Sequence, residues 1–213
     1  MKSLNLLMIL ASFGVMSDTV GQPAEIETRS IAAQSVMSLR KLINEQNYKA
    51  MGFTSPKEVE SATLNEPMSV TMVRLDDLRV YQHGDDAGKI VKALDKVIYP
   101  VSANGEVRSS ITLEKVKGAW KATSFGGPNL TKLLTKARKE SSEATHLTLA
   151  SYFVVELPAL NAYFVAHRSE NKLMLTAVLN DPTLKLEAGQ TSPAEEVFEK
   201  LAPIAKAYNG LPL

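Results

Sequence analysis

The chain has 213 residues, with 24 Lys or Arg against 23 Asp or Glu, and it contains no cysteine. A formal net charge of +1 gives no bulk attraction to polyanions, so no nucleic-acid partner is expected. The lack of cysteine excludes disulfides, thiol catalysis, thiolate zinc sites and iron–sulfur centres, and stability must therefore come from the hydrophobic core.

The first 21 residues have the pattern of a secretory signal peptide. Lys2 precedes an apolar run of 13 residues, Leu4 to Met16, which is too short to cross a bilayer. Small residues follow at Ser17 and Gly21, and the pattern predicts cleavage between Ser17 and Ala24. We therefore expect an exported, bacterial-type protein, periplasmic or extracellular, with no membrane span after cleavage. The alternative is an uncleaved amphipathic or core helix.

The remaining residues, 22–213, suit a single α+β domain with possible sub-units 22–141 and 142–213. Apolar residues at helical spacing predict a long N-terminal helix from Ile26 to Met51, ended by Gly52. Two successive βββα units are expected to follow and to form a mainly antiparallel sheet, with a C-terminal helix at the end of the second unit. The side chains of the two units match poorly, so the repeat is one of element order.

Local signals predict further short elements before the first unit. Ser55 and Glu58 have the spacing of a capping box at the start of a short helix. The segment MSVTMVRL has the alternation of a strand. Asp85 or Asp86 is expected to cap a brief helix that continues through Leu94.

The first βββα unit carries the clearest structural signal. Asn104–Gly105 lies between two alternating runs, and a type I′ hairpin turn needs positive φ at both of its central residues. Lys117–Gly118 predicts a second turn, into the strand AWKATSF. Gly126–Gly127 then connects this strand to a helix expected from Pro128 to about Lys139.

The second unit is expected to repeat this order. HLTLASYFVVEL, AYFVAHR and LMLTAVLND predict three strands joined by turns. The final helix has an expected N-cap at Ser192, a proline at the first helical position, Pro193, and a capping-box acid at Glu195.

The Gly126–Gly127 loop and the lysines after it form the first candidate binding site. Two glycines let the backbone approach a ligand closely, and the N-terminus of a following helix offers free N–H groups. Lys132, Lys136 and Lys139 recur at helical spacing on one face, in a basic segment that favours an acidic ligand or partner. The loop lacks the P-loop and dinucleotide-binding spacings. The alternative is a tight strand-to-helix connection with a solvated basic face.

Aromatic residues of the strands form the second candidate site. Trp120, Tyr152 and Tyr163 belong to predicted strands, and each tyrosine is followed by a phenylalanine. Adjacent strand residues point to opposite faces of a sheet. Either helices cover both faces, or an aromatic strip is exposed to a protein partner.

Catalytic motifs give no consistent set. His83 with Asp85 and Asp86 offers imidazole and oxygen ligands for a cation, but a capping role already explains the aspartates. Ser38 to Lys41 matches Ser-x-x-Lys without the two companion motifs of the enzymes that use it. No metal or cofactor is therefore expected.

These patterns favour an exported, soluble, non-enzymatic protein that binds a protein or a small ligand through its sheet. One alternative is an inhibitor of a secreted hydrolase, in which the hairpin tip from Ser102 to Glu106 enters the cleft of the enzyme. A second alternative is an enzyme of unknown type.

Overall fold

A computed structural model describes residues 22–210. The expected signal peptide, residues 1–21, lies outside the described residues. Within residues 22–210 the chain forms four α-helices: α1 (Gln22–Leu42), α2 (Leu75–Val80), α3 (Pro128–Thr145) and α4 (Ala194–Ala207). The same residues form nine strands: β1 (Thr63–Leu64), β2 (Met68–Val73), β3 (Val91–Ala103), β4 (Glu106–Val116), β5 (Ala119–Phe125), β6 (Phe153–Leu157), β7 (Ala162–Ser169), β8 (Lys172–Ala177) and β9 (Thr191–Pro193).

The nine described strands belong to one sheet in the order β5-β4-β3-β2-β6-β7-β8-β9, and β1 pairs with β3. The parallel β2–β6 pair joins the two halves of the sheet, and the remaining pairs among the described strands are antiparallel. The expected α+β architecture with a mainly antiparallel sheet is therefore confirmed.

Helices cover both faces of this sheet. Side chains alternate along β3, so Ile98 and Tyr99 lie on opposite faces. Tyr99 packs with α1, and Ile98 packs with α3. Helices α2 and α4 lie on the same face of the sheet as α1. They cover the half of the sheet that runs from β6 to β9, around Phe164. Helix α3 lies across the opposite face, where Leu134 belongs to a buried cluster with Met68 of β2 and Val154 of β6.

Helix α1 ends at Leu42, and residues 45–52 form turns, so it is shorter at its C-terminal end than expected. The Asn47 side chain donates to the carbonyl of Leu42 at 2.8 Å and accepts from the backbone N–H of Asn44 at 2.9 Å. Asparagine side chains that bond to nearby backbone groups compete with helical hydrogen bonds. The prediction of a longer helix rested on the spacing of apolar residues, which does not report these side-chain hydrogen bonds.

The capping boxes expected at Glu58 and Glu195 do not form. The Glu58 carboxylate accepts hydrogen bonds from the backbone N–H and the hydroxyl of Thr54 and forms an ion pair with Arg108 at 2.8 Å. Burial raises the pKa of Glu58, but these hydrogen bonds and the Arg108 charge together outweigh it and hold the pKa below its usual range. At α4 the N-cap is Pro193 and not Ser192. Ser192 belongs to β9, where it pairs with Leu175 of β8.

Other boundaries also differ from the prediction, and helix α2 was not predicted, because the expected strand MSVTMVRL ends at Val73 and its last residue, Leu75, begins this helix. Helix α3 continues to Thr145, and β6 begins at Phe153, so the residues after His146 are not a strand. A 3₁₀ turn over Ala87–Lys89 replaces the brief helix expected there, and β3 begins at Val91. Both predicted turns of the first unit form, with φ of 53° at Asn104 and 53° at Lys117.

Gly52 sits where two backbones approach closely. Its φ is +95°, and a Cβ added there would lie 1.8 Å from the carbonyl oxygen of Arg108 and 2.6 Å from the Cβ of Pro128. Gly105 has a similar φ of +81° but nothing within 4 Å of an added Cβ. Of these two glycines, Gly52 is the one at which an added side chain meets both backbone strain and a clash.

The two glycines therefore form a matched pair of substitutions. Gly105→Ala should lower the free energy of unfolding by about 1–2 kcal/mol through backbone strain alone. Gly52→Ala should lower it by roughly a further 2 kcal/mol or more, because β4 or the start of α3 must shift. Urea unfolding of both variants measures this difference. Equal losses would contradict the close approach at Gly52.

Candidate functional site

A cleft of about 240 Å³ opens between the N-terminal half of α3 and the sheet. We call it the α3 cleft, and define it by lining residues from six elements: Lys96, Thr112, Ser124, Leu130, Glu156 and Tyr163. The Gly126–Gly127 loop also lines it. Two of the sequence-predicted features, this loop and Tyr163, therefore meet at one place.

A partly buried ion pair lies in the wall of the cleft. The Lys96 ammonium is 2.9 and 3.1 Å from the two oxygens of Glu156, and the two side chains are 23% and 11% exposed. Lys96 belongs to β3 and Glu156 to β6, so the pair spans the intervening strand β2. Sequence reasoning missed both residues because they are 60 positions apart.

A bulge in β3 positions Lys96 for this contact. Ser69 of β2 pairs with Val97 of β3. Thr71 is two residues further along β2, but its partner Ala93 lies four residues before Val97 in β3. Two extra residues of β3 are therefore accommodated between these pairs, which bends the strand locally. Glu156 is held opposite Met72 by the parallel β2–β6 register.

The Gly126–Gly127 loop is a fixed connection at one end of the cleft. Ser110 donates both its backbone N–H and its hydroxyl to the Gly126 carbonyl, at 3.0 and 2.7 Å. Thr131 donates its N–H and hydroxyl to the Gly127 carbonyl at 3.0 and 2.8 Å. Gly127 is the N-cap of α3 in the left-handed region, with φ 63°, and it provides no side-chain cap. Pro128 has no N–H, so Asn129 and Leu130 are the residues of the first helical turn whose N–H groups lack an intrahelical acceptor.

Three other hydroxyl groups of the cleft are uncommitted. The side-chain oxygens of Thr112, Ser124 and Tyr163 have no hydrogen-bond partner among residues 22–210. Each can both donate and accept. The cleft thus combines one ion pair with several hydroxyls that are available to a ligand, and Leu130 supplies an apolar contact.

Arg138 fixes the helix that forms one wall. Arg138 is 1% exposed, and the two terminal nitrogens of its guanidinium donate to the carbonyls of Pro67 and Glu66, each at 2.8 Å. Burial lowers the pKa of Arg138, and the carboxylate of Glu66 opposes that change. These bonds tie α3 to the chain segment that enters the central strand β2.

The candidate lysines lie away from the cleft. Lys132, Lys136 and Lys139 are exposed, and none of them lines it. Lys136 and Lys139 are 3.9 Å from Glu140 and Glu143, which follow the basic segment one turn later on the same helix. These acids offset part of the positive charge on this face, so the arrangement favours the solvated-face interpretation.

The aromatic candidates are mostly covered. Tyr152 is 2% exposed, and its ring centroid lies 5.1 Å from that of His167 in a tilted arrangement, while Trp120 is half-buried against the α1 core. Helices cover both sheet faces, and the described residues contain no exposed aromatic strip. The exposed-strip hypothesis is therefore wrong, and Tyr163 is the aromatic candidate that remains accessible, through the cleft.

The other proposed site features find structural roles. Asp86 accepts from the N–H of Gly88, and His83 pairs with Glu199 at 2.7 Å. Within residues 22–210 no group of three His, Asp or Glu side chains is placed to hold a metal ion.

Burial lowers the pKa of His167, whose Nδ1 has no partner in the same part of the chain.

The hairpin tip proposed for hydrolase inhibition is small. Ser102 and Ala103 are buried, and only Asn104, Gly105 and Glu106 are exposed. A two-residue turn with three exposed residues presents little surface for insertion into the cleft of an enzyme.

No protein-family model, curated protein or solved structure matches the chain. None of the helices within residues 22–210 is long and apolar enough to cross a membrane.

Proposed function

We propose that this is an exported, non-enzymatic protein that binds a small polar ligand in the α3 cleft. The observation that carries this proposal is the cleft: a concave space of about 240 Å³ lined by an ion pair and uncommitted hydroxyls. Small-ligand sites are typically concave, with a few polar groups that fix orientation beside apolar contacts. The volume suits a small metabolite better than a protein segment.

The position of the cleft in the fold supports the same function. The two successive βββα units are part of the proposal: each supplies one half of the sheet, and the cleft lies where the halves meet, beneath the helix of the first unit. Lys96 comes from the first half and Glu156 from the second. A ligand that contacts both groups would therefore bridge the two units.

The non-enzymatic part of the proposal rests on the state of the candidate nucleophiles. The hydroxyls of Ser110 and Thr131 are donated to backbone carbonyls, and the Lys96 ammonium is paired with Glu156. The remaining hydroxyls, those of Thr112, Ser124 and Tyr163, are hydrogen-bonded to no base among residues 22–210. No histidine lines the cleft. A nucleophile with an adjacent base, which covalent catalysis requires, is not assembled among these lining residues.

Ligand binding can be tested with a thermal-shift panel of small neutral, zwitterionic, anionic and cationic metabolites. A compound at ten times its Kd should stabilise the fold by about 1.4 kcal/mol and raise Tm by about 3–6 °C. Ser124→Trp, at the exposed rim of the cleft, should abolish that shift. Lys121→Trp, also exposed on β5 but outside the cleft, should retain it.

Two results would refute binding in the cleft. One is that no compound raises Tm in the unsubstituted protein. The other is that a compound does so equally in Ser124→Trp and Lys121→Trp, because its site must then lie elsewhere.

Export is the second testable part of the proposal. Its support is the charge, apolar run and small residues of the first 21 positions. Intact-mass measurement of the protein from its native host should give a chain that begins between Ser17 and Ala24, in the envelope fraction or the medium. A full-length chain retained in the cytosol would contradict export.

A further inference from the structure

The α3 cleft has one positive and one negative side chain in its lining, and the two are in direct contact. Lys96 and Glu156 are the charged residues of its lining, and their charged atoms are 2.9 Å apart. An anion that approaches Lys96 therefore also approaches Glu156, and a cation that approaches Glu156 meets Lys96. Attraction and repulsion of similar size nearly cancel for a singly charged ligand.

A ligand that carries both charges avoids this cancellation. Its carboxylate can lie beside Lys96 while its ammonium lies beside Glu156, so the two ion pairs align in opposite directions and each ligand charge faces its opposite. Such charge-assisted hydrogen bonds are stronger than those between neutral groups. An uncharged polyol gains only neutral hydrogen bonds from the same wall.

The ion pair has bonding capacity left for such a ligand. An ammonium group has three donors and a carboxylate about four acceptor positions. Among the described residues Lys96 uses its donors only on Glu156, and the Glu156 carboxylate accepts only from Lys96. The pair can therefore accept a ligand without separating.

From these observations we infer that the α3 cleft binds a small zwitterion of the amino-acid type. This inference rests on the proposed function of the same cleft and names its ligand class. The carboxylate contacts Lys96, the ammonium contacts Glu156, and the hydroxyls of Thr112, Ser124 and Tyr163 bind the polar side-chain atoms of the ligand. The cleft volume of about 240 Å³ accommodates an amino acid.

The test compares L-alanine with two analogues in which one charged group is replaced by methyl. Isobutyrate lacks the ammonium, and isopropylammonium lacks the carboxylate. Each ligand is titrated into the ¹⁵N-labelled protein, which begins at the N-terminus found in its native host, and the amide signals are followed by NMR. L-Alanine should perturb the signals of Gly126, Gly127 and Thr112. Each analogue should bind at least about tenfold more weakly. Glycerol serves as the neutral polyol and should also bind more weakly.

Charge substitutions should change this order in a defined way. Glu156→Gln leaves Lys96 alone, so isobutyrate should now bind more tightly than L-alanine. Lys96→Gln leaves Glu156 alone, so isopropylammonium should become the tightest of the three. Ligand-free spectra of each variant establish that the fold is retained. If a single variant does not fold, the double variant Lys96→Gln/Glu156→Gln removes both charges, and it should bind L-alanine no better than the analogues.

Several outcomes would overturn the inference. One is that glycerol or either analogue binds more tightly than L-alanine. Another is that the charge variants keep the same order of affinity for L-alanine, isobutyrate and isopropylammonium as the unsubstituted protein. Absence of any perturbation by L-alanine, L-serine or L-glutamine up to about 100 mM, a concentration that detects very weak binding, also overturns it. If another panel compound still shifts Tm in a Ser124→Trp-sensitive way, only the ligand class is wrong. If none does, the proposed function fails as well.

Discussion

The arrangement of the molecule depends on one buried guanidinium. Arg138 is one of the largest fully buried side chains among the described residues, and its two 2.8 Å hydrogen bonds join α3 to the carbonyls just before β2. A buried charge is tolerated only when it is hydrogen-bonded, so α3 must stay where these carbonyls can be reached. That constraint places the helix across the central strands, and its N-terminal half then overhangs the sheet to form the cleft.

The ion pair of Lys96 and Glu156 is a poor choice for stability alone. Removing two charges from water is costly, and well-packed apolar residues often stabilise a fold as much as a buried pair does. Here the bulge in β3 and the parallel β2–β6 register bring the pair together at the point where the halves of the sheet meet. The pair keeps spare donors and acceptors at the wall of the cleft, which is the observation on which the proposed ligand recognition rests.

Local chemistry was predictable from the sequence, and distant contacts were not. Asn104–Gly105 and Lys117–Gly118 form the predicted turns because the glycine of each pair, and asparagine in the first, readily adopt positive φ. The end of α1 was misplaced because asparagine side chains at residues 44 and 47 compete with the helix, which apolar spacing does not record. Of the site, the glycine loop and Tyr163 were found. Lys96, Glu156 and Arg138 were missed, since their partners lie 60–72 positions away.

The most direct measurement is a crystal structure of the protein with bound L-alanine. The account predicts the ligand carboxylate within about 3 Å of the Lys96 ammonium and the ligand ammonium equally close to the Glu156 carboxylate, with the Lys96–Glu156 contact retained. L-Alanine bound outside the α3 cleft would contradict the account. So would L-alanine bound within it with both charged groups turned away from Lys96 and Glu156.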